Sequence, residues 1–101
     1  MALPFVPKCL CLDIETSVND TLALHKFGAW RPDNRQSVCV AGRQMPSALA
    51  QIDALTEGAA FVVGHNVIRH DLPALATLFP GLKLNALPAV DTLELSPLAF
   101  P

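Results

Sequence analysis

The sequence predicts an α/β domain on a mixed sheet, with the element order β-β-β-α-β-α-β. Three features point there. Residues 8–42 hold three strand-like stretches separated by polar, turn-prone segments. From Pro46 the apolar residues change to helical spacing. A short apolar run, a second helical stretch and a last strand then follow, the alternation that builds parallel βαβ units.

Residues 1–7 read as a lead-in stiffened by Pro4 and Pro7. The first strand covers 8–15, where Leu10, Leu12 and Ile14 alternate with Cys9, Cys11, Asp13 and Glu15. Residues 17–20 are polar and turn-prone. The second strand runs from Thr21 to Trp30, and its alternation slips near Lys26, so a bulge is expected at Gly28. Residues 31–36 form a polar turn, and 37–42 a third strand centred on Val38-Cys39-Val40. Short turns between three strands make an antiparallel meander.

The first helix is expected over 46–58, with Leu49, Ile52 and Leu55 on one face, Pro46 near the start and Gly58 at the stop. Ala59 to Gly64 is continuously apolar, as in a strand buried on both faces. The turn at His65 and Asn66 leads to Asp71, which opens a second helix over 72–79 with Pro73 in its first turn. Pro80-Gly81 ends that helix, Lys83 to Asn85 form a polar loop, and Ala89 to Leu95 make the last short strand.

Composition narrows the function. At 101 residues the chain is a single domain, 1–101, or the N-terminal part of a larger one. It is 51% hydrophobic and 16% charged, with a mean hydropathy of +0.39. Such a composition suits a sheet covered on both faces, or a fragment whose remaining part covers exposed core. The formal net charge of −2 exerts no general pull on nucleic acid or anionic membrane, so any nucleic-acid role needs a local site. Three cysteines without a C-x-x-C spacing argue against structural zinc and for a reduced, cytoplasmic setting. The N-terminus lacks the pattern of a signal peptide, and no apolar run approaches the ~20 residues of a membrane span, so no membrane partner is expected.

The chemistry-bearing residues are acids. Asp13 and Glu15 share one strand face at roughly 6.5–7 Å spacing. Adjacent carboxylates repel unless a positive charge lies between them. They can hold one cation, or two about 3.5–4 Å apart. The competing reading is a strand that ends in water. Asp71 likewise has two readings, an N-cap of the second helix or a third acid facing the end of the first strand, where ligands gather in open α/β sheets.

Asp13-Ile14-Glu15-Thr16, together with Gly64-His65-Asn66 and Asp71-Leu72-Pro73, resembles the first two motifs of the DEDD superfamily of 3′–5′ exonucleases. These are the DnaQ-like nucleases and the proofreading domains of DNA polymerases. The five-residue step from Asn66 to Asp71 is closer to the family B polymerase form than to the DnaQ form. Asp91-Thr92-Leu93 resembles a segment common on the next strand. The resemblance spans about residues 8–95 and implies a ribonuclease H-like sheet of strand order 3-2-1-4-5. It implies metal ligation by Asp13, Glu15 and Asp71, a terminal-nucleotide contact from Thr16, and supporting or turn-forming roles for His65 and Asn66. The implied cofactors are two Mg²⁺ or Mn²⁺ ions, and the implied substrate is single-stranded or 3′-ended DNA or RNA, in a repair, helicase or polymerase protein.

The family's third motif, a His or Tyr shortly before a fourth Asp, has no counterpart here, since there is no Tyr and His25, His65 and His70 all come too early. His70 also stands where Phe is more usual. The chain is therefore expected to be an exonuclease domain incomplete at its C-terminus, weak or inactive alone. The alternative is a non-catalytic ribonuclease H-like binding or assembly module. Surface left exposed by a missing C-terminal part favours a homodimer. The remaining residues read as structural: His25 solvated, Trp30 packed, the three cysteines small core residues, and Asp91 an acid at a strand end. Arg31, Arg35, Arg43 and Arg69 read as solvated turn residues with phosphate contact as the alternative.

Overall fold

The computed structural model of the chain describes residues 6–18 and 21–94. Five strands form one mixed sheet: β1 (Cys9–Val18), β2 (Leu22–Trp30), β3 (Ser37–Ala41), β4 (Phe61–Gly64) and β5 (Ala89–Asp91). Two α-helices, α1 (Met45–Thr56) and α2 (Leu72–Leu78), follow β3 and β4. The strand order is β3-β2-β1-β4-β5. The β1–β2 and β2–β3 pairs are antiparallel, and the β1–β4 and β4–β5 pairs are parallel. This is the ribonuclease H-like layout and the order 3-2-1-4-5 expected from the sequence.

Alternation on β1 decides which way the sheet faces. Leu10, Leu12 and Ile14 point into one core with Phe27 and Ala29 of β2 and Val62 of β4. Met45, Ala48, Ile52 and Leu55 of α1 and Ala74 and Leu75 of α2 close the same core. Among the described residues the opposite face has no such cover beyond Cys9, which is buried at the start of β1. Trp30 is 47% exposed and Val90 39%, and Cys39 is exposed. The composition suggested either cover on both faces or a fragment with core left exposed, and β4 in particular was expected to be buried on both. Only Val62 of that strand is buried, while Phe61 and Val63 are half-buried. A continuous apolar run states that both faces are apolar, not that both have a partner. Trp30 is accordingly not packed, and Cys39 is not a core residue.

Several boundaries move. β1 continues past Glu15 to Val18, because Thr16, Ser17 and Val18 pair with Leu24, Ala23 and Leu22. The acids thus lie inside the strand, not at its end. The irregularity in the β1–β2 ladder falls between Glu15 and Thr16, opposite His25, whereas Gly28 pairs regularly with Asp13. The expected bulge at Gly28 is therefore displaced to His25, whose Nε2 lies 2.7 Å from Ser17 Oγ. α1 begins one residue before Pro46 and ends at Thr56, with Gly58 at φ +81° just beyond it. β5 stops at Asp91, residues 92–94 are helical, and Leu95 lies outside the described residues. Lys83–Ala86 is a 3-10 turn, tied to α1 by the Lys83 amide donating to Asp53 Oδ1 at 2.9 Å. Of the turn expected at 17–20, residues 19 and 20 lie outside the described residues.

Arg31 is 3% exposed, contrary to its reading as a solvated turn residue. Its guanidinium forms a two-pronged pair with Asp33, both bonds at 2.8 Å. It also donates to the carbonyls of Leu55 and Glu57, at 2.9 and 2.7 Å. These carbonyls belong to the C-terminal end of α1, where unpaired C=O groups accumulate and a cation is favoured. Arg31 is thus consumed in pinning α1 to the β2–β3 turn.

Among the described residues no helix is long and apolar enough to cross a membrane.

Candidate functional site

β1 and β4 are of unequal reach. Their parallel pairing covers Cys9 to Cys11 of β1 and stops at Val63. Beyond Cys11, β1 has an edge that β4 does not pair. Asp13 and Glu15 lie on this stretch, both exposed and both on the open face with Cys11. Neither carboxylate has a hydrogen-bonded or ion-paired partner among the described residues.

β4 stops at Gly64 because the chain must turn sharply there. A Cβ at Gly64 would lie 2.7 Å from the Leu12 carbonyl oxygen, so a side chain at this crossing would push β4 off β1. Asn66 follows in the left-handed region at φ +60°, which asparagine tolerates better than most residues. Val67–Asp71 then forms a π-helical turn leading into α2. Such wide turns are rare and often mark functional sites.

Asp71 emerges from this turn 3% exposed. Although it is the N-cap of α2 by position, its backbone is helical and its side chain makes no capping bond. Instead its Oδ2 accepts the amide of Ile14, the residue between the two β1 acids, at 3.3 Å. A side-chain oxygen thus serves an amide that lies beyond the reach of β4. Burial raises the Asp71 pKa above the ordinary aspartate value, opposed by the Ile14 amide and by His70, and reinforced by the charges of Asp13 and Asp91.

The remaining predicted residues frame this cluster. Thr16 Oγ1 lies 3.2 Å from His70 Nε2, so the hydroxyl proposed to meet a nucleotide is next to an imidazole on the turn that carries Asp71. His65 Nδ1 is 3.3 Å from Thr92 Oγ1 on the far side of the turn. Asn66 enters through its backbone amide, which donates to Asp91 Oδ1 at 2.8 Å. A groove of about 380 Å³ on the open face is bounded by Asp13, Cys11, Trp30, Val63 and His65. Burial and the neighbouring Cys9 push the Cys11 thiol up to about 11, so it stays protonated in that groove.

The donor set is oxygen-only around Asp13, Glu15 and Asp71, the chemistry that suits Mg²⁺ or Mn²⁺ rather than zinc. Among the described residues, however, no three His, Cys, Asp or Glu side chains are already drawn together as a metal-binding group. Asp13 is near enough for its charge to raise the Asp71 pKa, and Glu15 projects from the same strand face as Asp13.

Asp91 is the residue whose part the sequence understated. Its carboxylate, 4% exposed, accepts amides of Asn66, Leu93 and Ile68 at 2.8, 2.9 and 3.1 Å. Burial alone would raise its pKa, but these amides hold it below the ordinary value. An acid ending an apolar strand was the visible signal, but its partners 23 to 25 residues earlier were not.

No family model matches the chain, and no curated protein matches it. Its fold is similar to that of the family B DNA polymerase from the hyperthermophilic archaeon Pyrobaculum calidifontis, with a TM-score of 0.68 at 16% identity. The match covers 100% of this chain and 17% of the polymerase chain. At that identity the likeness is one of fold.

Proposed function

We propose that the chain is part of a metal-dependent 3′–5′ exonuclease domain that hydrolyses phosphodiester bonds in single-stranded or 3′-ended DNA or RNA. The observation that carries this reading is the bond from Asp71 Oδ2 to the Ile14 amide. It ties the third acid to the strand residue flanked by the other two. The motif resemblance and the likeness in fold to a family B DNA polymerase support the reading from independent directions.

Asp13, Glu15 and Asp71 would hold Mg²⁺ or Mn²⁺. When bound, two such ions supply an activated water and relieve charge on the attacking and leaving oxygens. The chain's own residues do the rest. The exposed carboxylates of Asp13 and Glu15, without a partner among the described residues, are free to turn toward a cation. The buried Asp71 is held in place by Ile14. Thr16, with His70 behind it, offers a hydroxyl to the terminal nucleotide. His65 and Asn66 shape the turn. The fourth acid and the general base would come from sequence beyond these motifs, in a larger repair, helicase or polymerase protein.

The second reading is a ribonuclease H-like module that binds or assembles without catalysis, which would need no three-ligand group of the kind not found drawn together among the described residues. Calorimetric titration with Mn²⁺ separates the two. The exonuclease reading requires that wild type binds the ion and that Asp13→Ala loses most of that affinity. Identical titrations would leave the non-catalytic module.

A further inference from the structure

We propose that Asp91 is a positioning residue that sets where Asp71 lies, and through it the geometry of the acid cluster. Its functional meaning rests on the exonuclease reading above, whereas its geometry does not. The segment between β4 and α2 has few anchors of its own. Val67 is fully buried, but Ile68, Arg69 and His70 all face solvent. A π-helical turn is intrinsically uncommon, and this one starts from a left-handed Asn66. Something outside it must hold it.

Asp91 does so from β5. Oδ1 takes the Asn66 amide at 2.8 Å and Oδ2 takes the Ile68 amide at 3.1 Å, so the two oxygens grip the start of the turn at two points. Oδ1 also accepts Leu93 at 2.9 Å, which fixes the carboxylate against its own backbone. Parallel pairing of Gly64 with Asp91 holds the base of this clamp in the sheet. At the other end of the turn, Asp71 reaches the Ile14 amide at 3.3 Å. The connection runs from β5 through the turn to β1. The hydrogen bonds of Asp91 go to Asn66, Ile68 and Leu93, so its mechanical link to Ile14 runs through the turn, beside the through-space action of its charge on Asp71.

Amide hydrogen exchange in chelator-treated, ¹⁵N-labelled protein gives the test, because a purely local role for Asp91 would leave Ile14 unmoved. In Asp91→Asn, which keeps the size but replaces one acceptor oxygen with an amide, Ile14 should lose at least about tenfold of its protection along with Asn66 and Ile68. Phe27 in β2 should be unchanged. Mn²⁺ affinity should fall by about tenfold or more, the usual scale for groups that orient a ligand. Deprotection of Asn66 and Ile68 with Ile14 unaffected would overturn the proposal. If wild type binds no Mn²⁺, the exonuclease reading fails, while the Ile14 readout still decides the positioning role. Should Asp91→Asn not fold, exchange in wild type decides. Asn66, Ile68 and Ile14 should then open together with one common protection factor, and a separate opening of Ile14 would refute the link.

Discussion

The two faces of the sheet come from the same strands yet obey different rules. On the helix-covered face, Leu10, Leu12, Ile14 and Phe27 are packed against α1 and α2. On the open face, Cys11, Asp13, Glu15, Trp30 and Cys39 lie on alternate positions of those strands, exposed or half-buried. The first face supplies cohesion. The second presents chemistry, and it does so where β1 outruns β4 and, among the described residues, only Asp71 serves the unpaired strand edge. Rigidity on one side is what allows two repelling carboxylates to be held out on the other.

The largest expected effect lies on the covered face. Phe27→Ala should cost about 3–5 kcal/mol in urea unfolding, because a fully buried ring leaves a cavity that its neighbours cannot fill. A loss under 1 kcal/mol would mean that this face is not the stabilising one. Arg31→Ala should come next, at about 3 kcal/mol, since it strands the carbonyls of Leu55 and Glu57 at the end of α1. Substitution on the open face should register least. Cys39→Ala should change stability by no more than about 0.5 kcal/mol, and a large loss would show that this face is covered in solution.

A pH series sharpens the contrast between the two buried acids at the boundary of these faces. The Asp71 pKa is raised in the fold, so its ionised form costs stability above the ordinary aspartate value, and that cost fades as pH falls through the carboxylate range. Asp71→Asn should therefore be more stable than wild type at neutral pH in chelator, with the gain shrinking on acidification. The Asp91 pKa is lowered, so its contribution is present above the ordinary value and is lost as pH falls through the folded value. Asp91→Asn should be the less stable partner at neutral pH, and its deficit should shrink below the ordinary carboxylate range. The same sign for both variants would contradict the assignment of the two environments.

Much of this arrangement was legible in the chain. Alternation of Leu10, Leu12 and Ile14 with Asp13 and Glu15 told the covered face from the open one, because period 2 is a property of the strand itself. The change of spacing at Pro46 told where the meander ended. What could not be read were relations between elements. The extension of β1 to Val18 depends on its partner β2. The π-helical turn and the Asp91 clamp depend on a β5 carboxylate meeting amides 23 and 25 residues earlier in the chain. Arg31 looked like a turn residue because nothing in its neighbourhood in sequence announces the end of α1. Asp71 reads from sequence as either a cap or a site residue; in the fold its side chain makes no capping bond and meets the Ile14 amide instead.

The central claim is that Asp13, Glu15 and Asp71 together form one metal site. Substoichiometric Mn²⁺ added to the ¹⁵N-labelled chain tests it directly, because the ion broadens amide signals according to their distance from it. The signals of Asp13, Ile14, Glu15 and Asp71 should vanish first and together, ahead of those of β3. Broadening that spares Asp71, or that spreads evenly over the surface acids, would contradict the claim.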